Sequence, residues 1–270
     1  MDENKKIVRT AVIVLFVLAV AVAVYYFFIA GKSKSAGAAE SALQAKNAAA
    51  EEAAGKAAAT MAPIAVDLEK SDDAVRGIAS DLSSNAAFGL WLKSKDLVRK
   101  FVAAVDNIAN GQSPRAQVDF FSPAGPFKVA VKNGQTFVDP ATYDRYNVIA
   151  DVFDSVSTAG CVRLYSGARP LLAQAYRELG YPNQDFHQTL LRAVNEILRT
   201  PVVDDPIGLE KTVTTYAMLD PKLEELSPVQ KHLLRMGPEN LQLIQAKLRE
   251  IALALGFTDA QLSKPKVYKK

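Results

Sequence analysis

Apolar residues run unbroken near the start of the chain and recur every third or fourth position through its second half, and the two patterns predict different environments. From Ala11 to Ala30 twenty residues carry no charge. At 1.5 Å rise per residue that length matches one helix across a hydrocarbon layer about 30 Å thick. Tyr25 and Tyr26 sit near its far end, where amphipathic rings favour headgroups, and Lys5, Lys6 and Arg9 precede it. Only Lys32 and Lys34 follow closely, so the cation bias predicts an inside N-terminus with the bulk of the chain outside the cytoplasm. A cleaved signal peptide is the alternative; its apolar core spans about 7–15 residues, whereas this run is longer and ends in bulky Tyr25-Tyr26-Phe27-Phe28, which favours an uncleaved anchor.

From Gly31 to Ala62 the composition changes to Ala with scattered Glu, Lys, Ser and Gln, and no large apolar residue falls between Leu43 and Met61. Such a stretch has little to bury and reads as a spacer that ends at Pro63. Beyond it, Ser71-Asp72-Asp73 predicts a capped helix start, with Val75, Ile78, Ala79 and Leu82 on one face. Ser94 to Gly111 predicts a second helix whose stripe is Leu97, Val98, Phe101, Val102, Val105 and Ile108. Further helices are expected over 140–156, over 158–179 with a kink or break at Pro170, and over 184–199. In the last third Ser227 caps, Pro228 opens a helix, Gly237 closes it and Pro238 opens the next. That last helix is expected to turn Leu241, Leu243, Ile244, Leu248, Ile251 and Leu255 inward and Lys247, Arg249 and Glu250 to solvent, and the basic tail after Leu262 to be disordered.

One β signal interrupts the helical period. Phe127–Val131 and Thr136–Val138 flank Asn133-Gly134, whose tolerance of positive φ suits a type I′ hairpin. A lone hairpin must pack on the helices, fed by the loop Ser122-Pro123-Ala124-Gly125-Pro126, which could also line a groove. The fold class expected is therefore mainly α: a single N-terminal transmembrane helix (1–30), an Ala-rich tether (31–62), a helical domain with one small β-hairpin (63–258) and a basic tail (259–270).

Charge narrows the partners. The segment before Pro63 carries seven basic and five acidic residues, leaving 25 and 24 for the rest. A near-neutral body with interleaved signs lacks the basic stripe that phosphate neutralisation requires, so no nucleic-acid partner is expected. The single Cys161 allows no internal disulfide, and with only His187 and His232 no zinc cluster can form; no metal or cofactor is expected. Cys161 reads as a buried structural thiol, and His187 as lying on the polar flank of its helix beside Phe186. No nucleophile elbow, phosphate cradle or nucleotide fingerprint occurs, and Ser166-Gly167 follows no strand.

The stretches LWLKSKDLVRKFVAAVDNIANG, SPAGPFKV, LLAQAYRELGYPNQDF and, most specifically, LSPVQKHLLRMGPEN with AKLREI resemble the bacterial DUF3014 family, a domain of unknown function. The resemblance spans about Pro63 to Gly256. It implies a bacterial envelope protein, since such members often begin with a hydrophobic segment and a low-complexity tether, and it implies no activity. Its recurring polar positions here are Arg99, Asp106, Asn107, Arg177, Glu178, Arg235, Glu239 and Asn240, of which Arg235, Glu239, Asn240, Asp106, Asn107 and Arg177 are the candidate interaction residues. Arg235 in a last turn and Glu239 and Asn240 in a first turn also suit a purely structural corner. Two functions follow: a tethered binding or scaffold domain facing an envelope protein or the cell wall, or a cell-wall glycan hydrolase with paired carboxylates. An apolar groove favours the first; two carboxylates about 5–10 Å apart, one with a raised pKa, favour the second.

Overall fold

The computed structural model describes residues 61–117, 122–123 and 125–269. The apolar run Ala11–Ala30 and the tether up to Thr60 lie outside the described residues. Among the described residues no helix is long and apolar enough to cross a membrane.

Nine α-helices and four strands are described: α1 Ser71–Ala79, α2 Ala86–Trp91, α3 Leu97–Ala109, β1 Val129–Lys132, β2 Gln135–Val138, α4 Asn147–Ser155, α5 Thr158–Glu178, α6 Phe186–Leu198, β3 Gly208–Lys211, β4 Tyr216–Met218, α7 Pro221–Glu224, α8 Pro228–Leu234 and α9 Pro238–Ala254. The amphipathic stripe of α3 meets α5 and α6, and with Tyr176, Phe186, Leu198 and Phe257 forms the first apolar core. A second core joins Tyr146, Ile149 and Ala150 to Val229, Leu233, Leu241 and Ile244, where α4 and α8 pack on α9. The third lies under the sheet, around Val138, Ile207, Leu209, Met218 and Leu234.

The expected hairpin is present with its two-residue loop: Lys132 pairs with Gln135, and Asn133 and Gly134 take φ of 51° and 76°. It is not alone. β2 pairs with β3 and β3 with β4, all antiparallel, so the single hairpin expected becomes a four-stranded sheet in the order β1-β2-β3-β4. This extension solves the marginal stability of an isolated pair, because Leu209 and Met218 bury the sheet's inner face beside Val138.

Other expectations need correcting. Ser71 does not cap its own helix; instead Asp72 accepts the backbone N–H groups of Asp96 and Leu97 at 2.8 and 2.9 Å, so an acidic residue of α1 supplies the cap of α3. α5 runs through Pro170 as one helix, with the proline on the exposed side, where water can serve the freed carbonyl. The stretch from 140 begins as a 3-10 helix, Pro140–Tyr146, before α4. Phe101 lies at the margin of its stripe, 45% exposed, edge-on to Phe186. Lys247 and Glu250 do not face solvent: Lys247 is buried, 3.1 Å from Glu250, and Glu250 accepts a hydrogen bond from Thr158 at the start of α5. Arg249 is also largely covered, paired with Asp259. The tail is ordered: Val202 N–H donates to Lys266 and Tyr268 N–H to Val202, each at 2.8 Å, and Tyr268 Oη reaches Asp220.

Candidate functional site

The start of α8 is fixed by its own sequence. Ser227 and Gln230 form a reciprocal capping box with Pro228 at the first helical position. Ser227 Oγ also donates to Glu196 Oε1 at 2.6 Å, Gln230 Nε2 to the Glu196 carbonyl, and Val229 N–H to the Gly111 carbonyl at 3.1 Å. These bonds hold α8 against α6 and against the loop that follows α3. One turn on, His232 is thereby aimed between them.

There the second core leaves a cavity of about 110 Å³. Its walls are apolar, with Ile108 from α3, Ile149 from α4, Ile197 from α6, Leu233 from α8 and Ile244 from α9 among them, and Tyr146 and Met236 close two sides. Polar groups come from His232, Arg115 and Ser122. Ser113 Oγ lies 3.0 Å from His232 Nδ1, and Tyr146 meets the imidazole edge-on. Burial first, then the Arg115 and Arg235 guanidiniums, push the His232 pKa down to about 4, so the ring is neutral near pH 7. A neutral imidazole, a hydroxyl and a guanidinium beside an otherwise apolar space suit a ligand that is mostly apolar with one polar end. A wider depression of about 480 Å³ beside Ile64, Asp67 and Lys70 is open to solvent and has no comparable enclosure.

None of the candidate residues named from sequence lines this cavity. Asn240 is buried, and its Nδ2 is shared among the Met236 carbonyl, Asn147 Oδ1 and the Tyr143 carbonyl at 2.9, 3.0 and 3.1 Å. Gly237 has φ +86°, and a Cβ there would sit 2.5 Å from the Tyr143 ring. Arg235 donates to the Tyr216 carbonyl of β4, and Glu239 is exposed in the first turn of α9. The turn from Arg235 to Asn240 is thus a packed corner tying α8 and α9 to the Pro140–Tyr146 segment and the sheet, and it contributes Met236 to the cavity wall.

Asp106 lies buried on α3. Its Oδ2 accepts from Tyr181 Oη at 3.3 Å, while the buried Oδ1 has no hydrogen-bond partner among the described residues. The Asp106 charge is the main reason the Tyr181 pKa is raised. Asn107 serves locally through its carbonyl, which accepts from Gln112 N–H at 2.8 Å. Arg177 is exposed near the end of α5, while its neighbour Glu178 pairs with Arg99, which also holds Glu69.

Cys161 is half-buried with its thiol pushed up to about 11, chiefly by burial, and is protonated at neutral pH. His187 is not on a polar flank: it stacks on Phe257 with centroids 4.3 Å apart and meets Tyr165 Oη at 3.0 Å. Sequence spacing could not have found the Ser113–His232 pair, 119 positions apart, because only the fold brings the loop after α3 to α8.

Fold and cavity together define a mainly helical domain with a small antiparallel sheet and a largely apolar recess among its helices. The family model described as "Protein of unknown function (DUF3014)" matches residues 97–252, more than half of the chain, and the chain belongs to that family. No curated protein and no solved structure matches it.

Proposed function

We propose that this chain is a non-catalytic binding module, tethered to the bacterial cytoplasmic membrane by the Ala11–Ala30 run, whose ligand inserts an apolar group into the cavity beside His232. The observation that carries the reading is the cavity itself: apolar walls with polar groups at Arg115, Ser122 and His232, the last held by Ser113. Largely apolar recesses of this kind accept small apolar groups. The glycan-hydrolase alternative would need a carboxyl held protonated to act as general acid. Among the described residues the carboxylates whose pKa values are displaced, Glu178 and Glu224, are displaced downward, by hydrogen bonds from Arg99 and Lys231 respectively. That direction favours binding over hydrolysis.

The partner expected is an envelope protein or cell-wall component on the outer side. In-cell crosslinking of the full chain tests both halves of the reading when wild type is compared with Val229→Phe, which fills the recess. Wild type should capture a defined partner and the filled variant, at equal abundance, should not; equal capture by both removes the cavity from the interaction. A reporter enzyme active only outside the cytoplasm, fused after Lys270, should be active, and activity of a cytoplasmic reporter instead would overturn the orientation.

A further inference from the structure

Helix α2 has the sequence AAFGLW, without a polar side chain, yet none of its residues is buried. Leu90 is 62% exposed, Gly89 has open space around it, and Phe88, Trp91 and Leu92 are only half-buried. Val148, on the helix that packs beside it, is 55% exposed. A run of six apolar residues left exposed or half-exposed normally signals a partner.

The projection is held in place. Arg76 Nε donates to the Leu92 carbonyl at 2.7 Å and its Nη2 to the Ser94 carbonyl at 3.3 Å, while Asp72 accepts from the backbone of Asp96 and Leu97 just beyond. α1 therefore clamps the turn that leaves α2, and that turn carries Lys93 and Lys95, both exposed. Asn85 caps the other end through the Ala87 N–H. Trp91 packs in part against the second core, while Leu90 stands out from it. An apolar tip led by Leu90, with a half-exposed tryptophan and two lysines beside it, has the layered chemistry of a bilayer surface: Leu for the boundary of the acyl chains, the indole at headgroup level, ammonium groups for the phosphates. Asp96 and Asp151 are also exposed nearby, so apolar insertion, rather than net charge, must carry most of the attachment.

We infer that α2 and the Lys93–Lys95 turn seat on the headgroup layer of a lipid bilayer, giving the domain a second contact with the membrane. The inference rests on the membrane-tethered reading above. The apolar run ends at Ala30 and the described residues begin at Met61. Thirty residues separate the two, and a chain of that length reaches at most about 100 Å, so a domain so attached stays close to the bilayer and meets its surface at a high effective concentration. A nucleic-acid or acidic-protein partner would instead call for a wider cationic face than Lys93 and Lys95 provide.

Trp91 is the only tryptophan in the chain, so its fluorescence reports the contact without a label. The full chain is reconstituted into vesicles of phosphatidylcholine and phosphatidylglycerol carrying brominated acyl chains. Expected are co-flotation of protein with vesicles, quenching of Trp91 that is stronger for bromines near the headgroup end of the acyl chain than near its terminus, and loss of that quenching in Leu90→Glu, which still co-floats. Because Leu90 is exposed, the variant should keep the wild-type circular dichroism; Lys93→Glu with Lys95→Glu provides a second variant, expected to weaken quenching on anionic vesicles. Co-flotation with an unquenched Trp91 overturns the second contact and leaves the anchor standing. Failure to co-float overturns the anchor, and the inference with it. Shielding of Trp91 that rises with protein-to-lipid ratio, as a second copy seated on α2 would produce, also overturns it.

Discussion

At His232 a titratable ring is enclosed by apolar side chains with two guanidiniums nearby, and its pKa falls to about 4. The unfolded chain protonates this ring near pH 6.5, so between about 6.5 and 4 the unfolded state binds more protons and stability declines as pH falls. The contribution is complete above pH 6.5 and amounts to roughly 3 kcal/mol lost by pH 4. His187, whose pKa is also lowered by burial, adds in the same direction. Chemical denaturation from pH 7 to 4.5 should show this loss, and His232→Gln should flatten most of it; an unchanged slope would mean that the ring is not buried as described. At the corner, Gly237→Ala meets both a positive φ and the Tyr143 ring, and should destabilise by more than about 2 kcal/mol. Asn240→Ala strands buried acceptors and should cost about 1–3 kcal/mol, whereas Glu239→Ala, at an exposed first-turn position, should cost under about 1 kcal/mol in a melting experiment. The Gly-Pro punctuation made this corner legible in sequence. Lys247 was not legible: its spacing matches a solvated face, and only the arrival of Val156, Thr158 and Glu250 around it lets an ammonium be covered.

At the scale of elements, local chemistry and its consequences agree where a signal is complete within a few residues. Asn133-Gly134 gave the hairpin turn its register, and Ser227-Pro228 with Gln230 gave α8 its start. Where the partner lies far along the chain, the local reading misassigns the residue. Ser71-Asp72-Asp73 looks like a cap for α1, yet Asp72 spends both carboxylate oxygens on α3. Asp72→Ala should therefore lower stability by about 1 kcal/mol and increase amide exchange at Asp96 and Leu97 more than within α1; exchange confined to α1 would contradict the shared cap. Strands β3 and β4 were illegible for a similar reason. Their loop lacks an Asn-Gly turn, and only the alternation of buried Ile207 and Leu209 with exposed Glu210 marks them, a pattern too short to read before β2 supplies an edge.

Across the whole molecule the three cores are joined through shared elements, and the chain's end takes part. Val202 is bonded on both its N–H and its C=O by residues 266 and 268. Removing residues 264–270 should cost about 1–3 kcal/mol and loosen the segment between α6 and β3, measured by denaturation and proteolysis; an unchanged midpoint would show the tail to be dispensable. The cavity belongs to this scale too, because its walls come from five helices and the loop after α3, and no single stretch of sequence outlines it. Four isoleucines, Ile108, Ile149, Ile197 and Ile244, face it, while Ile64, Ile78, Ile207 and Ile251 do not line it. Methyl NMR of isoleucine-labelled protein during a benzene titration reads the cavity directly. Saturable shifts at those four methyls, with the others still and with all four lost in Val229→Phe, are the result expected of a recess built to accept an apolar group; shifts spread evenly over all isoleucines, or none, would contradict it.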